Sequence, residues 1–377
     1  MYIGGFVKSE KQMLTYSYRI KDGNVANKLN QLARATNFVW NYCNETSFNA
    51  IKHRSKFLSK YDFRPLTKGA SKELPINSQT IQAIIDEYVT RRKQFKKIKL
   101  KWRGRKSLGW IPFNGQTIKI VNDVVIYDGI KIRFWKHREL FGNIKTGSFC
   151  QDTRGRWYVN FQCEVVDKRP HGERKIGIDL GLKDKAICSD GVKYDRENLT
   201  KKYELRLAKY QRARKKKQVK NLHAKIKNKR KDFSHKISNE ICRTSEIVIV
   251  GDISSSILAK TRMAKSVLDA GWNQLTTMLH YKAIRHGMIV KKVSEKWSTQ
   301  TCSYCGVIPE SAPKGISALG VRNWKCSECE ASHDRDINAA RNIFNFGTGS
   351  CAPTGSLSLQ CYGMHTSLFS IQPTLIF

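Results

Sequence analysis

Four cysteines constrain this chain more than any other feature. Cys302 and Cys305 form one C-x-x-C pair, Cys326 and Cys329 form a second, and the 20 residues between the pairs are loop-like. Two tight knuckles at this spacing each offer two thiolates to one tetrahedral ion, which is zinc-ribbon chemistry. Disulfides are the alternative. Against them, the seven other cysteines are scattered and the N-terminal stretch lacks the apolar core of a secretory signal. The expectation is a cytoplasmic chain with reduced thiols, in a prokaryotic cytosol or nucleoid. Right after the ribbon, Asp334 and Asp336 precede a run of good helix formers. An acid at a helix start is ordinarily a cap, and that is the role read for Asp334.

Charge narrows the partner. Lys plus Arg number 69 against 31 Asp plus Glu, a formal net charge of +38. Self-repulsion at this density destabilises a compact fold unless phosphate neutralises it, so a nucleic acid is expected over much of the surface. With 40% hydrophobic residues the chain has enough apolar material for two or three cores. No apolar stretch approaches the roughly 20 residues that span a bilayer, so no membrane partner is expected.

The order of patterns sets the architecture. Residues 11–20 alternate as a half-buried strand. From Val25 to about Lys56 a helical stripe of Leu29, Leu32, Ala33, Phe38, Val39, Tyr42 and Phe48 is expected, followed by a connector over 57–75 broken by Pro65, Gly69 and Pro75. A second helix opens at an Asn77/Ser78 cap and runs to Phe95. Residues 96–107 set seven basic residues around Ile98, Leu100 and Trp102 in alternation. They read as a strand with one lysine-rich face for phosphates, with Trp102 either stacking on a base or plugging the core, the core being the expected place. Short alternating segments over 109–166 complete a small β-barrel, which the two helices interrupt. Residues 166–174 read as a linker.

Beyond the linker, Lys175–Leu180 reads as a buried strand containing Asp179, and burying an acid is costly unless it meets something positive. A strand at 184–189, a basic helical pair over 199–243, a strand at 246–251, a helix at 265–286, a strand at 288–293 and a helix opening near Asp336 follow. That order matches an RNase H-like sheet, where carboxylates converge at one edge on two divalent metals. Mg2+ suits such hard oxygen ligands.

The motifs carry a resemblance. Gly-Ile-Asp-Leu-Gly (177–181), Val-Gly-Asp-Ile-Ser-Ser (250–255), the Lys260–Trp272 run, Ser-Thr-Gln-Thr-Cys-Ser-Tyr-Cys-Gly (298–306) and Asp-Arg-Asp-Ile-Asn-Ala-Ala-Arg-Asn-Ile (334–343) together resemble the TnpB family. These are transposon-encoded RNA-guided DNA nucleases, relatives of the type V CRISPR effectors. The resemblance is tight over 174–346. It implies an α/β plus β multidomain chain: a wedge barrel (1–22 and 96–170), a helical recognition insertion (23–95), a RuvC-like nuclease domain (174–298 and 331–346), an inserted zinc ribbon (299–330) and a tail (347–377). It also implies a guide RNA from the transposon end, with one chain per RNA. A short target-adjacent motif would be read beside double-stranded target DNA, and the cut would be a two-metal RuvC-like hydrolysis. Gln79 and Gln82, on one face of the second helix, are candidates for base edges, and Lys99, Lys101, Arg103 and Arg105 for phosphates.

One departure stands out. The family pattern ends the third apolar strand on Glu, where this chain has Gly251. Asp252 is adjacent, but side chains alternate along a strand, so it would point to the other face. Glu295 follows the next parallel strand, and a subset of the family is similar in placing the glutamate there. Asp179, Glu295 and Asp336 are therefore the expected magnesium ligands and catalytic residues, with Asp252 the rival third acid. Arg335 is a candidate for facing the scissile phosphate. Two other function classes stay open: an RNA-guided repressor with a dead nuclease site, and a transposase that itself joins DNA ends.

Overall fold

The computed structural model describes residues 12–21, 23–166, 169–195, 197–253, 258, 264–315 and 317–349. Two units are distinct: Met1–Pro170 with Asn198–Lys236 and Tyr281–Gly287, and His171–Glu197 with Ile237–His280 and Met288–Phe377. The first unit opens with β1 (Gln12–Arg19), in which Tyr16 and Tyr18 alternate inward. Four helices follow, α1 (Val25–Arg54), α2 (Lys60–Leu66), α3 (Ala70–Glu73) and α4 (Ser78–Phe95). Then come β2 (Trp110–Asn114), β3 (Ile118–Val121), β4 (Val124–Tyr127), β5 (Ile130–Arg133), β6 (Asn143–Gln151) and β7 (Trp157–Val165). They form two antiparallel sheets, β1-β7-β6-β2 and β3-β4-β5, joined by an Ile20–Phe134 bridge rather than by one continuous ladder. Both sheets enclose an aromatic core in which Phe113, Phe149, Phe161, Tyr18 and Tyr127 are all but fully buried. Thr80 of α4 hydrogen-bonds the buried Tyr127 hydroxyl at 2.5 Å, docking the helices on that core.

The helical insertion departs from the sequence reading in three places. In α1, Phe38 and Tyr42 face solvent, whereas Trp40, Cys43, Asn44 and Ser47 are buried. Polar residues turn inward there because their hydrogen bonds are met. Residues 57–75 hold two short helices, because Ser59 and Asp62 close a capping box that starts α2 despite Pro65. Residues 96–107 form an extended loop and no strand. Its backbone finds partners on a helix: the Asn44 amide bonds both N–H and C=O of Leu100, and the Asn41 amide does the same for Arg103, each bond 2.9 Å. An extended segment served by two side chains needs no neighbouring strand. Trp102, expected in the core, is 52% exposed.

The second unit is built on β8 (Arg174–Asp179), β9 (Asp184–Cys188) and β10 (Lys193–Asp195). Two basic helices follow, α5 (Leu199–Arg212) and α6 (Lys216–Thr244), which bury Leu199, Leu222 and Ile226 together while Leu205 stays exposed. Residues 198–236 group with the first unit by contacts, whereas the resemblance implies the nuclease domain for them. Next come β11 (Ser245–Gly251), α7 (Ala264–Ala270), α8 (Trp272–His286) and β12 (Ile289–Val293). The expected single helix over 265–286 is two, because Gly271 at φ +64° ends the first. Two short strands, β13 (Asn323–Lys325) and β14 (Ser332–Asp334), lead into α9 (Arg335–Thr348). Residues 350–377, with Cys351 and Cys361, lie outside the described residues.

The five-stranded sheet runs β10-β9-β8-β11-β12, with β8, β11 and β12 mutually parallel and β9 and β10 antiparallel. As expected of central strands covered on both faces, β8 and β11 each hold an unbroken buried centre, Ile176–Ile178 and Val248–Gly251. Gly177 makes the closest approach: a Cβ there would lie 2.0 Å from the Ala340 carbonyl oxygen of α9. Gly177→Ala is expected to push α9 off β8 and to lower stability by about 1–3 kcal/mol, read as a lower urea midpoint. An unchanged midpoint would contradict this packing.

Candidate active site

The sheet register brings the acids together. Ile178 pairs with Val250, one residue before Asp179 and Gly251 respectively, and Gly251 pairs with Val293. Asp179, Gly251 and Val293 thus end three parallel neighbours at the same edge, and Glu295 follows two residues on. A Cβ built on Gly251 would lie 3.2 Å from Glu295 Oε2 and 3.5 Å from Glu295 Cβ. The Glu295 side chain therefore fills the space over Gly251. Asp336, in the first turn of α9, is half-buried.

The electrostatics report mutual repulsion. Burial, then the charges of Glu295 and Asp336, push the Asp179 carboxyl up to about 7, with Arg335 pulling the other way. Burial, then Asp252, push Glu295 up to about 7. Asp336 is held by Arg322, whose Nη1 lies 2.8 and 3.0 Å from its two oxygens. Asp252, just past the end of β11, is exposed and paired with Lys292 at 2.8 Å. Lys296, the other cation near Glu295 in sequence, lies over the Trp297 ring, 5.2 Å from its centroid.

Local chemistry fixes the flanks. Asp334 caps α9 by accepting the Asp336 and Ile337 N–H groups at 3.0 and 3.2 Å, and Lys193 reaches it at 2.7 Å. Arg335 donates to the Ala318 carbonyl at 2.9 Å. Trp272 Nε1 donates to the Gly181 carbonyl at 3.0 Å and pins the loop after Asp179. Sequence reasoning missed Asn338 and Asn342, both buried on α9, whose amides donate to the Ser298 and Thr301 carbonyls before the first knuckle. Their signal was two asparagines four apart inside a helix, where Asn is a poor former. Arg322 was also missed, because its partner lies 14 residues away.

The four cysteines form the second cluster. Among the described residues, theirs are the ligand atoms that all lie within 4.8 Å of one another; the three carboxylates are not drawn that close. Sγ separations of 3.6 Å (Cys302–Cys329) and 3.8 Å (Cys305–Cys326) are far beyond a disulfide bond. Burial pushes Cys302 up to about 12 and raises Cys305, whereas the Ala331 N–H lowers Cys329. Buried thiols of this kind become thiolates when a cation joins them, and a four-sulfur set fits a zinc-like ion. His333 Nε2 lies 3.0 Å from Cys302 Sγ, with its ring 4.7 Å from Trp324.

In the first unit, Gln79 and Gln82 are exposed on α4, and Lys101 and Arg105 are exposed on the 96–107 loop. Lys99 pairs with Glu45 at 2.7 Å. Arg103 is committed elsewhere: it donates to Asn37 at 2.6 Å and to the Leu108 carbonyl at 2.8 Å, and it lies over Trp110. It holds the loop and is not available as a phosphate contact.

Fold and site together define a mixed α/β protein with acids at one sheet edge beside a four-thiol ribbon. Known proteins are similar to this chain. A Cas12f1-like TNB domain model matches residues 272–343, and a probable transposase model, OrfB_IS605, matches residues 158–262. Over these stretches the chain is similar to the TnpB family. A Streptomyces pristinaespiralis protein provisionally named an RNA-guided DNA endonuclease is 34% identical over 223 residues, 55% of this chain and 54% of that protein. A TnpB-like protein of Acanthamoeba polyphaga mimivirus is 27% identical over 232 residues, 54% of this chain and 43% of its own. The chain thus spans about half the length of the curated relatives it matches. The fold resembles that of a Cas12f1 chain solved with sgRNA and target DNA, at a TM-score of 0.59 and 13% identity, covering 90% of this chain and 99% of that one. Among the described residues no helix is long and apolar enough to cross a membrane.

Two outcomes follow for the purified chain. Asp179 keeps its proton to about pH 7 when folded but releases it near 4 when unfolded. The folded chain then binds more protons across that interval, so its contribution to stability falls as pH rises from about 4 to 7. In zinc-loaded, magnesium-free protein, Asp179→Asn should be more stable than the parent at pH 8, by roughly 1–3 kcal/mol after discounting for partial exposure, with no advantage near pH 4. A flat difference across pH would contradict the burial. Native mass spectrometry should find about one zinc per chain, and Cys326→Ser should lose it. A full zinc equivalent in that variant would refute the four-thiol site.

Proposed function

We propose that this chain is an RNA-guided DNA endonuclease of a transposon, cutting double-stranded DNA next to a short target-adjacent motif. The observation that carries this reading is Glu295 occupying the space over Gly251, next to Asp179 at the edge of the sheet. The sheet order β10-β9-β8-β11-β12, with its three parallel strands and α9 laid on β8, supports an RNase H-like, RuvC-type nuclease domain. The net charge of +38 supports nucleic-acid partners. Under this reading the guide comes from the transposon end, base pairing selects the target, and one chain serves one RNA.

Asp179, Glu295 and Asp336 would hold Mg2+, and the oxygen-only donor set suits that ion. When bound, the ions supply an activated water and counter-charge for the leaving oxygen. The chain's own work is to position and to neutralise. The end of β8 and the segment after β12 fix two carboxyls over one edge, and partial burial shields them from bulk water. The first turn of α9 presents the third, and Arg322 balances its charge at rest. Arg335, near Asp179, is a cation available to a phosphate. The four-thiol ribbon would carry structural zinc.

The test is cleavage of a plasmid library with randomised bases beside a fixed target, by protein co-expressed with its flanking transcript, in Mg2+. RNA-dependent linear product is expected. Glu295→Gln should lower cutting on the order of a hundredfold or more, as loss of a group that stabilises the transition state does, while target binding persists. Asp252→Asn should leave cutting near the parent level. Target binding without any cutting by the parent would overturn the endonuclease reading and favour a guided repressor, which the missing carboxylate at Gly251 would suit.

A further inference from the structure

The extended loop over residues 96–107 shows a large apolar side chain to water on a backbone that is held in place. Trp102 is 52% exposed. The residues on either side are clamped: Asn44 bonds both backbone groups of Leu100, Asn41 bonds both of Arg103, and Trp40 Nε1 donates to the Lys101 carbonyl at 3.4 Å. The Arg103 side chain is turned back to Asn37 and the Leu108 carbonyl. Leu100 and Arg103 thus face the helix, and Trp102 stands outward. Leaving an indole in water forgoes the stabilisation its burial would bring. A loop that served only as a connection could fold that ring inward.

The surroundings select the chemistry. Residues 95–106 contain seven basic and no acidic residues, and Lys96, Lys97, Lys101, Arg105 and Lys106 are exposed. A rigid aromatic face among cations matches a nucleobase flanked by phosphates. A protein partner would instead favour a depletion of lysine around the aromatic anchor. We propose that Trp102 is a stacking platform for an unpaired nucleobase, with Lys101 and Arg105 contacting the adjoining phosphates. The platform concerns the nucleic-acid partner of the proposed nuclease, but it needs no cutting and no metal at the acids.

The test is binding of labelled oligonucleotides of about 20 nucleotides to the full chain, without added divalent ions, comparing single-stranded RNA, single-stranded DNA and duplex DNA. Trp102→Ala should weaken single-strand binding by roughly five- to a hundredfold. Trp102→Phe should keep most of the affinity, Trp102→Leu should not, and duplex binding should be unchanged. The salt dependence of Trp102→Ala should match the parent, whereas Lys101→Ala should reduce its slope by about one unit. Weakening of both strands, or of RNA or DNA alone, supports the platform and identifies the strand it takes. Equal weakening on duplex and single strands, or no change with an unaltered circular dichroism spectrum, would overturn it. So would Trp102-dependent binding to anionic vesicles with oligonucleotide affinity unchanged.

Discussion

Like charges gathered at one sheet edge are the constraint on which the second unit depends. Asp179, Glu295, Asp336 and Asp252 repel one another, and partial burial makes each charge dearer. The fold answers with cations at the margin. Lys292 takes Asp252, Lys193 takes Asp334, and Arg322 takes Asp336. The N-terminal turn of α9 adds its own partial positive charge beside Asp336. None of these three pairs takes Asp179 or Glu295, and although Arg335 pulls on Asp179, those two carboxyls hold protons to about pH 7.

The ribbon and the acid-bearing helix are tied by the same short stretch of sequence. Asn338 and Asn342 grip the carbonyls leading to the first knuckle, and Ser303 N–H donates back to Asn338 Oδ1 at 2.8 Å. From the other side, Arg322 reaches Asp336 just before β13 begins. Anything that reshapes the thiol cluster therefore pulls on the helix that carries an acid. Leaving those two buried amides unpaired would cost about 1–3 kcal/mol each, enough to make the tie selective for asparagine.

Much of this was legible in the sequence for physical reasons. The alternation in β7, the cysteine pairs, and the Asn77 and Asp334 caps are local patterns, and each sits where its pattern puts it. What escaped depended on partners far along the chain. Asn41 and Asn44 look like a solvent face of α1, yet they serve backbone groups 62 and 56 residues away respectively. Once they turned inward, Phe38 and Tyr42 on the same helix had to turn out. Arg103 read as one cation among many, because the helix that engages it is equally distant. That Glu295 lies over Gly251 depends on the parallel register of β11 and β12, a tertiary pairing that no local pattern supplies.

The glycine at 251 has a consequence for descent. Its Cβ position is already crowded by Ile343 Cδ1 at 3.0 Å and by Glu295 Oε2 at 3.2 Å. A glutamate at 251 and the present glutamate at 295 would claim one volume. The two placements are thus alternatives rather than increments, and a lineage cannot pass from one to the other by adding the new acid before discarding the old without displacing a side chain. Positions 251 and 295 should therefore travel together through divergence, inherited as a pair although 43 residues of unrelated chain lie between them.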